Sequence, residues 1–113
     1  NSPLYVVREG ELQERKSDKF AICSFEPGTK NYEVQTVELQ SGDTVFLATD
    51  GFADQFGGPH GKKFMRRRFR ELLIETASLP LVEHEPHLRS RFDAWRGEEE
   101  QVDDVLVVSV RVP

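Results

Sequence analysis

The chain is poor in sulfur and has nothing that could span a membrane. Of its 113 residues one is a cysteine, Cys23, which excludes an internal disulfide and a cysteine-rich zinc site. A single thiol fits a reducing compartment, so a cytoplasmic location is expected. No apolar run approaches the roughly 20 residues that a membrane helix needs. The start, Asn1-Ser2-Pro3, has no initiator Met, no basic segment and no long apolar stretch of the kind a signal peptide carries. The expectation is therefore a piece cut from a longer protein. Positive charge is also short. With 15 Lys and Arg against 20 Asp and Glu the net charge is −5, which argues against general nucleic-acid affinity while leaving room for local basic patches. There is no internal repeat and no low-complexity tract.

What remains is a soluble composition on the polar side, 37% hydrophobic and 31% charged, of a length that suits one domain or part of one. The most informative stretch runs from Gly42 to Asp54. Val45 to Ala48 is a short apolar block with β-branched and aromatic residues between Gly42-Asp43 and Asp50-Gly51, the pattern of a buried strand. A carboxylate just beyond such a strand stands at the rim of a sheet, and Gly51 lets the chain turn sharply there. The last apolar run, Val105 to Val112, is likewise opened by an acidic pair, Asp103-Asp104. Two strands thus carry carboxylates at their ends.

The other elements follow from periodicity and turn residues. Leu4 to Val7 and Glu11 to Arg15 read as a hairpin around Glu9-Gly10. Pro27-Gly28 marks a turn, and Phe20, Ile22 and Phe25 supply some core. Tyr32 to Leu39 reads as a strand joined by Ser41-Gly42 to the strand at Thr44 to Thr49, which predicts antiparallel neighbours. Gln55 to Gly61 reads as a loop. Met65, Phe69, Leu72, Leu73 and Thr76 share one helix face, with Lys62, Lys63, Arg66, Arg67, Arg68 and Arg70 mostly on the other side. Leu88, Phe92 and Trp95 predict a second helix capped by Gly97. This helix either starts near Pro86 or is longer and kinked there. Val102 to Val112 closes the chain as a strand expected to be buried on both faces. The order of elements indicates an α+β domain: a mainly antiparallel sheet with two helices on one face.

The acidic residues are open to two readings on spacing alone. Asp50, Asp54, Asp103 and Asp104 offer the hard oxygen ligands that Mg²⁺ or Mn²⁺ takes. Asp50 and Asp54 lie four apart across a turn, so both can face one site. Equally, Asp-Gly is ordinary turn chemistry, and Asp often precedes a strand.

Gly42-Asp43-Thr44-Val45-Phe46-Leu47-Ala48-Thr49-Asp50-Gly51 resembles the "GDTLxLxTDG" segment of the metal-dependent serine/threonine protein phosphatases, the PPM family, in their bacterial SpoIIE-like branch. Asp54 resembles the second acid of that family's "DGxxD" turn. Val102 to Val108 is similar to its closing "DDxTxVV" strand, and Asn1 to Tyr5 to the strand that starts "AGxNPPL". The resemblance spans essentially the whole chain, in order. It implies an αββα sandwich of which residues 1–113 form the C-terminal portion, the N-terminal half being absent. It also implies a two-metal centre of Mg²⁺ or Mn²⁺ with Asp50 and Asp103 as ligands. Asp54 matches the position that helps hold a weaker third metal, and Asp104 and Gly51 stand in support. The implied reaction is hydrolysis of a phosphoserine or phosphothreonine protein in bacterial signalling, for example an anti-sigma-factor antagonist. The implied parent carries N-terminal sensor domains, through which it could be membrane-anchored. The family's "DxxGHG" acid has no counterpart here: the nearest text, Pro59-His60-Gly61, is in the wrong place, so the isolated piece is expected to be inactive. Cys23 stands where relatives have Gly, and Val105-Leu106 stands where they have "IT". The alternative is a non-catalytic regulatory or interaction module on the same fold. In either case a half sandwich leaves apolar sheet uncovered, which predicts a homodimer or a partner chain over that surface.

The remaining candidates have plainer readings. The basic cluster could steer an acidic partner or simply be a solvated helix face. Glu83, His84, Glu85 and His87 are metal-ligand types, but Pro86 breaks regular spacing and they read as surface residues; Trp95 and Tyr5 read as core, and Cys23 as a small buried residue. Gly57-Gly58 reads as a flexible loop or as a phosphate-cradling nest.

Overall fold

Strand β1 (Leu4–Arg8) and strand β2 (Glu11–Arg15) form the first hairpin in a computed structural model that describes residues 3–15 and 37–113. Glu9 and Gly10 both take positive φ, 52° and 78°, the backbone of a primed two-residue turn whose twist matches that of the strands. Strand β3 (Thr44–Ala48) pairs antiparallel with β1 on one side. On its other side it pairs with the closing strand β6 (Val107–Arg111). Between them in sequence lie β4 (Phe56–Gly57), β5 (Lys62–Lys63), helix α1 (Arg66–Ala77) and helix α2 (His84–Arg96). The sheet order is β2-β1-β3-β6, and β4 and β5 make a separate two-stranded ribbon.

One face of the sheet carries the core. Tyr5 and Val7 of β1 and Phe46 and Ala48 of β3 meet Phe69, Leu72 and Leu73 of α1 and Leu88 and Phe92 of α2. Phe52, just past β3, sits at the centre of the aromatic packing, with ring centroids 5.1 Å from Phe69 and 5.0 Å from Phe92. Both helices therefore lie on one face of a mainly antiparallel sheet, the α+β arrangement expected.

Several elements differ from expectation. Both edges of β3 are occupied by β1 and β6, and residues 37–40 have no strand pairing; the rest of the expected strand Tyr32 to Leu39 lies outside the described residues. The expected turn at Pro27-Gly28, the core residues Phe20, Ile22 and Phe25, and Cys23 lie outside the described residues. The closing strand is shorter than Val102 to Val112 and is not buried on both faces. Val108 and Val110 are 42% and 52% exposed on the side away from the helices, where Leu47 of β3 is also exposed. Helix α2 starts at His84 after a single 3-10 turn, Leu81–Glu83, so Pro86 falls in its first turn without a kink. Gly97, at φ 55°, ends it with an N–H bond to Asp93 O.

His84 is the largest surprise among the polar residues: it is buried, not on the surface. Leu79 O can only accept, so the Nε2 that lies 3.0 Å from it carries the proton. Nδ1 then accepts from the Ser109 hydroxyl at 3.0 Å. The imidazole thereby joins the start of α2 to β6, stacked against Phe46. Arg111 makes a second tie. Its Nη2 donates to Ala77 O and Leu79 O at 2.7 and 3.1 Å, placing a cation at the C-terminal end of α1.

Burial holds the His84 pKa below its ordinary value of 6.5, opposed by the Leu79 carbonyl and assisted by the charge of Arg111 and by His87. The folded state thus favours the neutral ring. Its contribution to stability is complete above the unfolded-state pKa and is lost as pH falls through the range below it. Thermal melts between pH 7.5 and about 5 should show a falling melting temperature for the wild type and a flatter dependence for His84→Gln.

Candidate functional site

The ends of β3 and β6 meet through Thr49. Its N–H donates to Leu106 O at 3.0 Å. Its hydroxyl donates to Asp104 O at 3.0 Å and accepts from the Leu106 N–H at 3.1 Å. Next to it, Gly51 faces the Asp104 carbonyl so closely that a Cβ there would overlap the oxygen. Gly51 does not take positive φ. The glycine is required for space, so that two backbones can touch, and not for the turn conformation that the sequence suggested. Asp50 and the pair Asp103-Asp104 are by this means fixed at one corner of the sheet.

Asp54 joins them from the turn that follows. Its N–H bonds to Asp50 O at 2.9 Å, closing a single helical turn. Asp54 and Asp103 line a small cavity of about 110 Å³ together with Gly51, Gln55, Phe56, Lys63, Glu100 and Val102. Asp50 lies beside this cavity, 51% exposed, with Arg66 Nη2 at 3.9 Å from its Oδ1. Lys63 Nζ is 3.8 Å from Asp54 Oδ1. Asp103 and Asp104 are exposed. Each of the two turn carboxylates therefore has a cation beside it, one from β5 and one from the first residue of α1.

The β4–β5 ribbon is built rigidly. Gly57 and Gly58 lie against Trp95, where any side chain would collide with its backbone or ring. Gly58 N–H donates to Trp95 O at 2.8 Å, and the indole N–H donates to Gln55 O at 2.8 Å. The Gln55 amide reaches Glu100 O at 2.8 Å. Arg68 lies over the indole at 4.9 Å. The expected open loop is thus a pinned ribbon, and the glycines are packing contacts rather than a nest for phosphate. Phe64 N–H and Met65 N–H return to Gln55 O and Ala53 O at 2.9 and 2.8 Å. They hold Met65 at φ 81°, ψ 151°, a conformation that costs a non-glycine residue about 1–3 kcal/mol. Arg66 is delivered toward Asp50 from this restrained position.

Asp43 has a different role from the other acids. Arg8 grips it from β1 with Nη2–Oδ2 at 2.7 Å and Nε–Oδ1 at 2.9 Å, and the Gln40 N–H adds a third bond at 2.8 Å. These contacts hold its carboxyl down to about 2. It clamps the turn that leads into β3 and takes no part in the acidic corner.

Hard-cation chemistry suits the carboxylates of Asp50, Asp54 and Asp103 by type. By number they fall short: among the described residues no group of three or more His, Cys, Asp or Glu converges as a metal site requires. Further ligands would have to come from outside them. Thr49, Lys63 and Arg66 are the parts of the corner that sequence reasoning did not single out. Arg66 and Lys63 were visible only as members of a basic cluster, and only the fold shows which two of its cations turn toward the acids.

A family model described as Stage II sporulation protein E (SpoIIE) matches residues 1–113. A search of curated proteins finds no match. Among solved structures, the SiaA-PP2C domain of Pseudomonas aeruginosa superposes with a TM-score of 0.82 at 36% sequence identity, over 99% of this chain. The match takes up 43% of that domain's chain, so the present chain spans less than half of the relative's length. No helix among the described residues is long and apolar enough to cross a membrane. With the fold, the paired strand ends and both likenesses in agreement, the chain belongs to the SpoIIE family of PP2C-type phosphatase domains.

Proposed function

We propose that this chain is the C-terminal portion of a phosphoserine/phosphothreonine protein phosphatase, and that its acidic corner is one side of the active site. The observation that supports the reading is the Thr49 junction, which ties the turn that carries Asp50 to the segment that follows Asp103. Family membership supports phosphatase chemistry in general. Mg²⁺ or Mn²⁺, held by Asp50 and Asp103 with carboxylates from the rest of the domain, would supply an activated water and neutralise charge on the phosphoryl group. The chain's own contribution is positional. The closed end of the β3–β6 ladder holds the turn of Asp50 beside the segment of Asp103, and Asp54 adds a third oxygen donor from the adjoining turn. The substrate is a phosphoprotein of bacterial signalling. The apolar outer face of the sheet, with Leu47, Val108 and Val110 exposed, is the surface on which a partner chain or a second copy would pack.

A second reading has one observation in its favour. Arg66 and Lys63 already stand at Asp50 and Asp54, as they would in a binding module that has given up its metals. Hydrolysis of an aryl phosphate by the full-length protein separates the two. The phosphatase reading expects Mn²⁺-dependent turnover, reduced by roughly two orders of magnitude in Asp50→Asn and in Asp103→Asn. An inactive intact protein, or variants with full activity, would establish the module instead. In the same assay Gly51→Ala should cost at least about tenfold, because its methyl group pushes the Asp104 backbone away from Asp50.

A further inference from the structure

Lys62, Lys63 and Arg66 are exposed side chains on restrained backbone, and stability does not account for them. The Lys63–Asp54 and Arg66–Asp50 pairs are 3.8 and 3.9 Å long and about half exposed, and such pairs contribute at most about 1 kcal/mol. Their backbone, by contrast, is held at fixed positions by the Trp95 contacts and by the strained residue Met65. Phe56, 44% exposed, lies under the Lys63 ammonium, which is 5.7 Å from its ring centroid. This gives the patch an apolar floor. The chain as a whole carries −5, but residues 62–70 hold six cations and no acid, so even with Asp50 and Asp54 beside Arg66 and Lys63 this is where an acidic ligand meets a reversed sign.

We propose that the β4–β5 ribbon and the start of α1 form a docking platform for an extended, acidic, phosphorylated protein segment. Lys62 and Lys63 would engage carboxylates on one side of the phosphoresidue, Arg66 the phosphate side, and Phe56 an apolar flanking side chain. The platform deepens the phosphatase reading and takes its biological setting from it, but its recognition chemistry is independent. A guanidinium and two ammoniums bind phosphate and carboxylate oxygens by charge-assisted hydrogen bonds whether or not hydrolysis follows.

The test is fluorescence anisotropy with the metal-free chain and a labelled acidic peptide containing one phosphoserine, beside its unphosphorylated twin. The phosphopeptide should bind more tightly than the twin. The triple variant K62E/K63E/R66E should bind about tenfold more weakly. The glutamine triple K62Q/K63Q/R66Q, which removes charge without adding repulsion, should also bind more weakly than wild type. Arg89→Glu, on α2 where Arg89 pairs with Glu85, should leave binding unchanged. Circular dichroism melts of each variant confirm the fold. In the full-length protein the glutamine triple should raise KM for a phosphoprotein. The proposal is overturned by any of four results: no binding by the wild type, equal binding by the folded triples, an equal loss in Arg89→Glu, or equally tight binding of a single-stranded DNA of the same charge. An inactive full-length protein whose chain still shows the charge-dependent phosphopeptide preference would overturn the phosphatase reading and leave the platform standing.

Discussion

Thr49 is the residue through which two distant parts of the chain become one site. Its three hydrogen bonds to Asp104 and Leu106 continue the β3–β6 ladder beyond its last paired residues, Ala48 and Val107. Without them the segment before β6 has no strand pairing to hold it, because regular β structure starts only at Val107. The contact of Gly51 with the Asp104 carbonyl depends on the same closure. The Thr49 hydroxyl is donor to one of these backbone groups and acceptor for another, so its removal breaks two bonds at once. The acidic corner is therefore a consequence of how the sheet ends.

Around that corner the charges alternate in sign. Asp50 and Asp54 face Arg66 and Lys63, which come from elements positioned by Trp95 and by the turn at Met65. Two purposes fit this pattern at once. Carboxylates suit hard cations by type, and Lys and Arg suit phosphate or carboxylate oxygens. The half-exposed state of these pairs keeps both sets of groups free to exchange partners with an incoming ligand. Farther away, His84 and Arg111 bind the helix layer to β6 through buried polar contacts, so the strand that carries Asp103 at its approach is anchored from behind.

Much of this was legible in the residues. Alternation and turn chemistry located β1, β2 and β3, and the 3.6-residue period located both helices, because each has a face that must be buried against the sheet. The strand-to-carboxylate pattern pointed to Asp50 and Asp103 before any geometry was known. What could not be read was long-range. Nothing local to Gly42–Asp54 shows that β3 takes β1 and β6 as neighbours, since pairing partners are chosen by the whole sheet. His84 looked like a surface residue because Glu83, Glu85 and Pro86 surround it, and the Ser109 hydroxyl that satisfies it lies 25 residues away. Gly57 and Gly58 read as loop because a glycine packed under an indole and a glycine in open solvent have the same sequence signature. The family's Gly-His-Gly acid was legible as missing from the sequence alone, since Pro59-His60-Gly61 stands in another place.

A corner closed by Thr49 requires Asp50, Asp54 and Asp103 to respond together to an added cation. Paramagnetic broadening by Mn²⁺ in the proton–nitrogen correlation spectrum of the chain tests it without any need for turnover. At millimolar Mn²⁺ the amides of all three residues should broaden together, and Thr49→Val, which keeps the shape of the side chain and removes the hydroxyl bonds, should uncouple Asp103 from the other two. Broadening centred on the acidic run Glu98 to Glu100, or on one of the three carboxylates alone, would contradict it.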